Sequence, residues 1–215
     1  PETLFLEIMT LEQILSHPPK VLSQEQREDY FDLGYMKVEG LIPKNTLVEL
    51  LRVIDKVLDA SREETQSGTV FDLGPGHSPQ KPVLRRLKKP DEYDQVFWDF
   101  ASGLIADVAS DIAGPDVVFH HSKLNFKWND GSDEVKWHQD AQFFPHTNYN
   151  VFTIGCYLND TGLEDGPLAV MPGSHQGELY NLYHGETWAG CLSDEDADSL
   201  SMEDAEYLTG GEGSI

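Results

Sequence analysis

Val135-Lys136-Trp137-His138-Gln139-Asp140-Ala141-Gln142-Phe143-Phe144-Pro145 is the stretch on which the reading of this chain turns. In a strand, alternate side chains share a face, so His138 and Asp140 project to the same side with one residue between them. An imidazole nitrogen and a carboxylate oxygen placed in this way offer two cis positions on a metal. A third ligand from elsewhere would complete the 2-His-1-carboxylate triad that holds iron(II) and leaves three positions open. Trp137 precedes the pair and Phe143-Phe144 follows it, aromatic walls suited to keeping water from a reactive centre. The rival explanation is a solvated His–Asp pair at a strand end, because H-x-D alone also arises by chance.

Around this stretch the chain is written in short β-branched or aromatic runs: Val117-Val118-Phe119, Lys123 to Trp128, Val135 to His138, Tyr149 to Leu158 and Leu168-Ala169-Val170. Asn129-Asp130-Gly131, Asp160-Thr161-Gly162 and Pro172-Gly173-Ser174 separate them with turn chemistry. Such spacing predicts a sandwich or barrel with helices packed outside it. The helices come first. Ser23 and Gln26 form a capping box for a helix through Asp32, which Gly34 ends, and Tyr35 to Val38 alternates like a strand. Thr46 and Glu49 form a second box. Leu47, Leu50, Leu51, Ile54, Val57 and Leu58 then recur at helical spacing, predicting an amphipathic helix to about Arg62. Gln66 to Pro82 reads as a loop. A third helix covers Tyr93 to Ala113, with Phe97, Phe100, Leu104, Ile105, Val108 and Ile112 inward, and Gly114-Pro115 stops it. Ser193 to Glu206 is an acidic stretch read as a solvated loop or helix.

The 215 residues include 38 Asp and Glu against 15 Lys and Arg, a formal charge of −23, with 39% hydrophobic residues. That is one domain with a sizeable core. Its acidity disfavours nucleic acid and anionic membrane surfaces as partners. Cys156 and Cys191 are too few for a disulfide framework or a cysteine zinc site. No apolar run approaches the ~20 residues of a membrane span, and Pro1-Glu2-Thr3 has no signal-like character. The expectation is a soluble cytoplasmic protein whose sequence starts at a trimmed or fragmentary point.

Several segments together resemble the phytanoyl-CoA dioxygenase family. Leu22-Ser23-Gln24-Glu25-Gln26 and Tyr30-Phe31-Asp32-Leu33-Gly34-Tyr35 are similar to its N-terminal helix and first strand. His121-Ser122-Lys123-Leu124-Asn125-Phe126-Lys127 resembles the strand before its metal motif, and Trp137 to Pro145 resembles the iron-binding strand and following loop. Leu158-Asn159-Asp160, Asp165-Gly166-Pro167-Leu168 and Met171-Pro172-Gly173-Ser174-His175-Gln176-Gly177 match its later strand and PGSH loop. Ordered from residue 22 to residue 177, the set is far more specific than any member.

The resemblance implies a mainly β fold with flanking helices (α+β), a double-stranded β-helix or cupin-like jelly roll. It would form a single domain, 1–215, helical over about 1–115 and jelly-roll over about 116–215. The implied cofactors are Fe(II), 2-oxoglutarate and O2, and the implied reaction hydroxylates a small-molecule substrate with release of succinate and CO2. By the same resemblance His138 and Asp140 are the iron ligands. Asn125 sits where relatives contact 2-oxoglutarate, and Lys123, two residues earlier on the same face, points toward the same cavity; ordinary polar residues at a barrel mouth are the alternative for both. His175 is expected to stabilise its loop or face substrate, and His120, His121, His146 and His184 carry no ligand motif. Related halogenases replace the carboxylate ligand with a small residue, so Asp140 implies hydroxylation.

Family members carry a further iron-binding His and an Arg that grips 2-oxoglutarate, both after a Gly-rich turn resembling Gly210-Gly211-Glu212-Gly213-Ser214-Ile215. Both are therefore expected beyond Ile215, with the jelly roll's last strands, and weak metal binding is expected of this chain. The rival from another class is a catalytically silent binding module, existing as an oligomer or with a partner; the sequence leaves the oligomeric state open. A non-CoA substrate is expected, since coenzyme A calls for clustered Lys and Arg. The basic stretch Lys81, Arg85, Arg86, Lys88 and Lys89 reads either as a solvated face or as a contact for an anionic substrate.

Overall fold

The computed structural model describes residues 9–128, 134–144 and 150–215. The expected turn at 129–131, His146 and the start of the 149–158 run lie outside them. Helix α1 (Leu11–Ser16) is closed by a Thr10–Gln13 capping box and α2 (Gln24–Leu33) by the expected Ser23–Gln26 box, with Gly34 at φ 83° ending it. The amphipathic helix α3 (Lys44–Ser61) starts earlier than its Thr46 signal. Pro43 sits at its N-cap, and proline's fixed φ suits a helix start, so Thr46 falls inside the first turn. The long helix expected over 93–113 is divided into α4 (Pro90–Tyr93), α5 (Gln95–Phe100), a π-helical turn at Ala101–Ile105 and α6 (Ala106–Ala113). Asp94 is extended there, its carboxylate accepting from the Val96 N–H to cap α5.

Leu50, Val53, Ile54 and Val57 of α3 pack with Phe97 of α5 on Phe71, Leu84 and Leu87 to form the main core. The last three belong to an antiparallel sheet of β1 (Phe71–Leu73), β2 (Leu84–Lys88) and β3 (Lys123–Asn125). β1 lies inside the stretch expected to be loop; Phe71 opposite buried Leu87 draws it into the core. Opposed residues share a face, so Leu87 and Leu124 point inward while Arg86–Asn125 and Lys88–Lys123 point outward.

The other described strands are short: β4 (Ala169–Val170) pairs with β7 (Glu206–Tyr207), and β5 (Tyr183–His184) with β6 (Thr187–Trp188). The runs expected as strands at 35–38, 117–119 and 135–138, and the described part of 149–158, contain no assigned strand. Two of them nevertheless form an extended seam. Val38 and Ile215 exchange both backbone hydrogen bonds, Gly213 O accepts from Ile42 N, and Tyr157 pairs with Gly213 and Ser214. The Gly-rich 210–215 segment makes the expected turn at Glu212–Gly213, with Ser214 N donating to Gly211 O, and also runs between two others. It positions Ile215 on a second core of Leu22, Val108 and Ile112. The acidic stretch carries exposed helix α7 (Asp194–Ser199), capped by Ser193.

A polar knot holds the N-terminal helices to α6. Asp111, buried, accepts the backbone N–H groups of Lys20, Val21 and Leu22. Arg27, 1% exposed, donates to the carbonyls of Ile14, His17 and Asp111. Among the described residues no helix is long and apolar enough to cross a membrane.

Candidate active site

His138 lies in the stretch 134–139, which carries no assigned strand, and Asp140 opens a 3-10 turn, Asp140–Phe143. No sheet pleat aligns them, contrary to the strand expectation. Gln139 is extended, at φ −117° and ψ 119°, and one extended residue suffices to put its two neighbours on one side. Its own side chain works as an anchor on the other side. The Gln139 amide donates to Glu178 O at 3.0 Å and its oxygen accepts from Tyr180 N at 2.9 Å. Gln142 adds a bond to Tyr180 O at 2.8 Å, and Leu192 N donates to Trp137 O at 2.8 Å. Backbone to both sides therefore fixes the H-x-D segment without a ladder.

His138 Nε2 and Asp140 Oδ1 converge to 3.1 Å. An ion with ligand bonds of about 2.1 Å at a right angle would set two donors about 3 Å apart, so the pair fits two cis positions. His138 Nδ1 donates to Lys136 O at 2.8 Å, which leaves Nε2 as the ligating nitrogen. Thr153 Oγ1 donates to Asp140 Oδ2 at 2.7 Å and fixes the far oxygen. Hydrogen bonding to Asp140 raises the His138 pKa against the opposing effect of burial. The same bond, helped by Thr153, holds the Asp140 carboxyl down to about 2. Among the described residues no group of three or more His, Cys, Asp and Glu is placed to hold a metal.

Lys123 borders this pair: its charge opposes protonation of His138 and His121 and favours ionised Asp140. Burial is the larger reason that the His121 pKa is lowered. The β3 face carrying Lys123 and Asn125 is thus electrostatically coupled to the H-x-D pair. Asn125 Oδ1 accepts from Arg86 Nε at 3.0 Å.

Aromatic rings line the other side. Phe143 meets the His138 ring edge-on at 5.4 Å and Trp188 at 5.3 Å, and Trp188 meets Tyr183 at 5.0 Å. Phe144 contacts the rings of His120 and His121, each at 5.0 Å. His175 is taken up elsewhere, its Nε2 bonded to Phe31 O at 2.9 Å where the PGSH loop meets the end of α2. It stabilises its loop, one of the two expected roles. His184 is exposed in the β5–β6 hairpin. Sequence reading assigned no site role to Thr153, Gln139 or Trp188, although Thr153 and Gln139 lay within stretches it had singled out, and it named Arg86 only as part of the basic stretch.

The sequence profile described as Phytanoyl-CoA dioxygenase (PhyH) matches residues 30–211. A probable alpha-ketoglutarate-dependent hypophosphite dioxygenase of Stutzerimonas stutzeri is 30% identical over 195 residues, covering 89% of this chain and 68% of that protein. The ectoine dioxygenase of Sphingopyxis alaskensis is 26% identical over 166 residues, 72% of this chain. Against that ectoine dioxygenase, and against the peroxisomal phytanoyl-CoA dioxygenase of Rattus norvegicus, the chain spans 49% of the relative's length. The crystal structure of EctD from S. alaskensis with bound Fe superposes with a TM-score of 0.68 at 21% identity, covering 92% of this chain and 68% of that one. Its complex with 2-oxoglutarate and 5-hydroxyectoine gives 0.67 at 22% identity, covering 94% and 70%. The fold is therefore that of these solved structures, and the chain belongs to the phytanoyl-CoA dioxygenase family, a family of iron- and 2-oxoglutarate-dependent dioxygenases.

Proposed function

We propose that this chain carries the catalytic centre of an Fe(II)- and 2-oxoglutarate-dependent dioxygenase that hydroxylates a small organic molecule, on a jelly-roll scaffold. The observation that carries the reading is the convergence of His138 Nε2 and Asp140 Oδ1 to 3.1 Å, with the remaining polar atoms of both side chains held by Lys136 O and Thr153. His138 and Asp140 would hold the iron. Bound iron couples decarboxylation of 2-oxoglutarate, giving succinate and CO2, to insertion of one oxygen atom of O2 into substrate. Lys123 and Asn125 would meet the co-substrate carboxylates, and Phe143 and Trp188 would shield the reacting groups from water. Two free thiols, Cys156 and Cys191, suit a reducing compartment such as the cytoplasm.

The aromatic wall favours an organic substrate without coenzyme A. A second reading, a small oxyanion, is favoured by the relative named for hypophosphite. Oxygen-dependent succinate formation across a panel of zwitterionic metabolites, hypophosphite and acyl-CoAs tests these readings. Stimulation by a small organic molecule, abolished by Asp140→Ala, is expected. Stimulation by hypophosphite alone would move the assignment to the oxyanion, and stimulation by acyl-CoA alone would sink both. Tight iron binding that survives His138→Ala would remove the proposed centre and leave a silent binding module.

A further inference from the structure

The basic stretch before α4 acquires a place once β2 is paired with β3. Arg86 and Lys88 stand directly opposite Asn125 and Lys123, all four on the outward face. Like charges set opposite one another are unfavourable, and in a chain of formal charge −23 acidic partners are plentiful. Yet among the described residues no carboxylate lies within ion-pair distance of Arg86, Lys88 or Lys123. Asp72, opposite Arg86 on its other side, accepts instead from Ser67 Oγ at 3.2 Å. Of these cations Lys123 acts on the H-x-D pair, a setting that suits a dicarboxylate.

Arg86 does one further thing. Its Nε–H donates to Asn125 Oδ1 at 3.0 Å. A carboxamide has one acceptor end and one donor end. With the oxygen held by a cation, the amide N–H groups are left to point away from Arg86 as donors. Without Arg86 the carboxamide is free to turn its oxygen toward an incoming anion, which repels it.

We propose that Arg86 is a positioning residue for 2-oxoglutarate, holding Asn125 so that its amide donates to a co-substrate carboxylate. This rests on the reading above that Asn125 and Lys123 meet 2-oxoglutarate. The test is anaerobic calorimetric titration of 2-oxoglutarate into the iron(II)-loaded protein extended past Ile215, with Arg86→Met, Arg86→Gln, Asn125→Ala and the Arg86→Met/Asn125→Ala double variant. Melting temperature and iron affinity are measured alongside and should not move. Arg86→Met should raise the Kd for 2-oxoglutarate about tenfold. Arg86→Gln, which keeps an N–H donor, should recover most of that loss. In the Asn125→Ala background Arg86→Met should add nothing. Arg86→Ala replaces Met in the same cycle if the Met variant does not fold. An unchanged Kd in Arg86→Met, or an equal loss in both backgrounds, overturns the positioning role while leaving the functional reading intact. Failure of the parent chain to bind 2-oxoglutarate overturns the functional reading and this inference with it.

Discussion

His138 and Asp140 favour each other's charged forms, which sets a proton in competition with a metal. The His138 pKa lies above its ordinary 6.5, chiefly through its bond to Asp140. What His138 contributes to folding stability through that bond is complete below about pH 6.5 and lost as pH rises through the raised value. Asp140 is lowered from 3.8 to about 2, so its contribution is present above 3.8 and lost as pH falls toward 2. A metal needs the neutral imidazole, so iron(II) affinity should fall about tenfold per pH unit below the raised His138 pKa and level off above it. Metal titrations from pH 5 to 8.5 read this directly, and a fall that begins only below about pH 6 would contradict it. Thr153→Val removes the donor to Asp140 Oδ2 at nearly constant shape. It should weaken iron(II) binding about tenfold and raise the Asp140 pKa; unchanged affinity would show that Thr153 does not orient the carboxylate. Cys156 has little role in this competition, because burial pushes its thiol up to about 12.

At the scale of elements, Gln139 does for the H-x-D segment what a neighbouring strand would have done. Its amide bonds both ways to the backbone of Glu178 and Tyr180. Gln139→Leu keeps much of the volume and removes both bonds. Iron(II) affinity should fall by about tenfold or more while the melting temperature drops only a few degrees; an unaltered iron affinity would show that the loop holds its shape unaided. That His138 and Asp140 share a side was legible in the sequence, because one extended residue between them is enough to put them there. Its support was not, since a glutamine between two ligands carries no signal of where its amide goes. The same limit explains the helices. Ser23 and Gln26 act within four residues and announced α2 correctly. Thr46 was a local signal overridden by Pro43, and Asp94 broke the long helix by taking an extended backbone that periodicity does not register.

Across the whole molecule, the polar knot that ties the N-terminal helices to α6 depends on a residue with no motif. Arg27 satisfies carbonyls of Ile14, His17 and Asp111 from a fully buried position. Arg27→Met would leave those carbonyls buried without a donor, and stability to urea should drop by about 3 kcal/mol with the iron site unaltered. A loss under about 1 kcal/mol would mean that the knot relaxes or hydrates. Nothing in the sequence marked Arg27 as buried, since arginine is among the residues most often found exposed. The family's ordered signatures, by contrast, were legible over most of the chain, because turn glycines and site residues keep fixed offsets even where strands are short. The extended seam has a consequence in time. Val38 takes its backbone partners from Ile215, and Ile42 takes one from Gly213. During synthesis the helical part can pack early on local contacts, while this layer waits until the chain has been made as far as Ile215. Closing so distant a pairing is slow. Refolding should therefore show α3 and the β1–β2 hairpin acquiring amide protection first, with Val38, Ile42 and Tyr157 protected together in a later, rate-limiting phase.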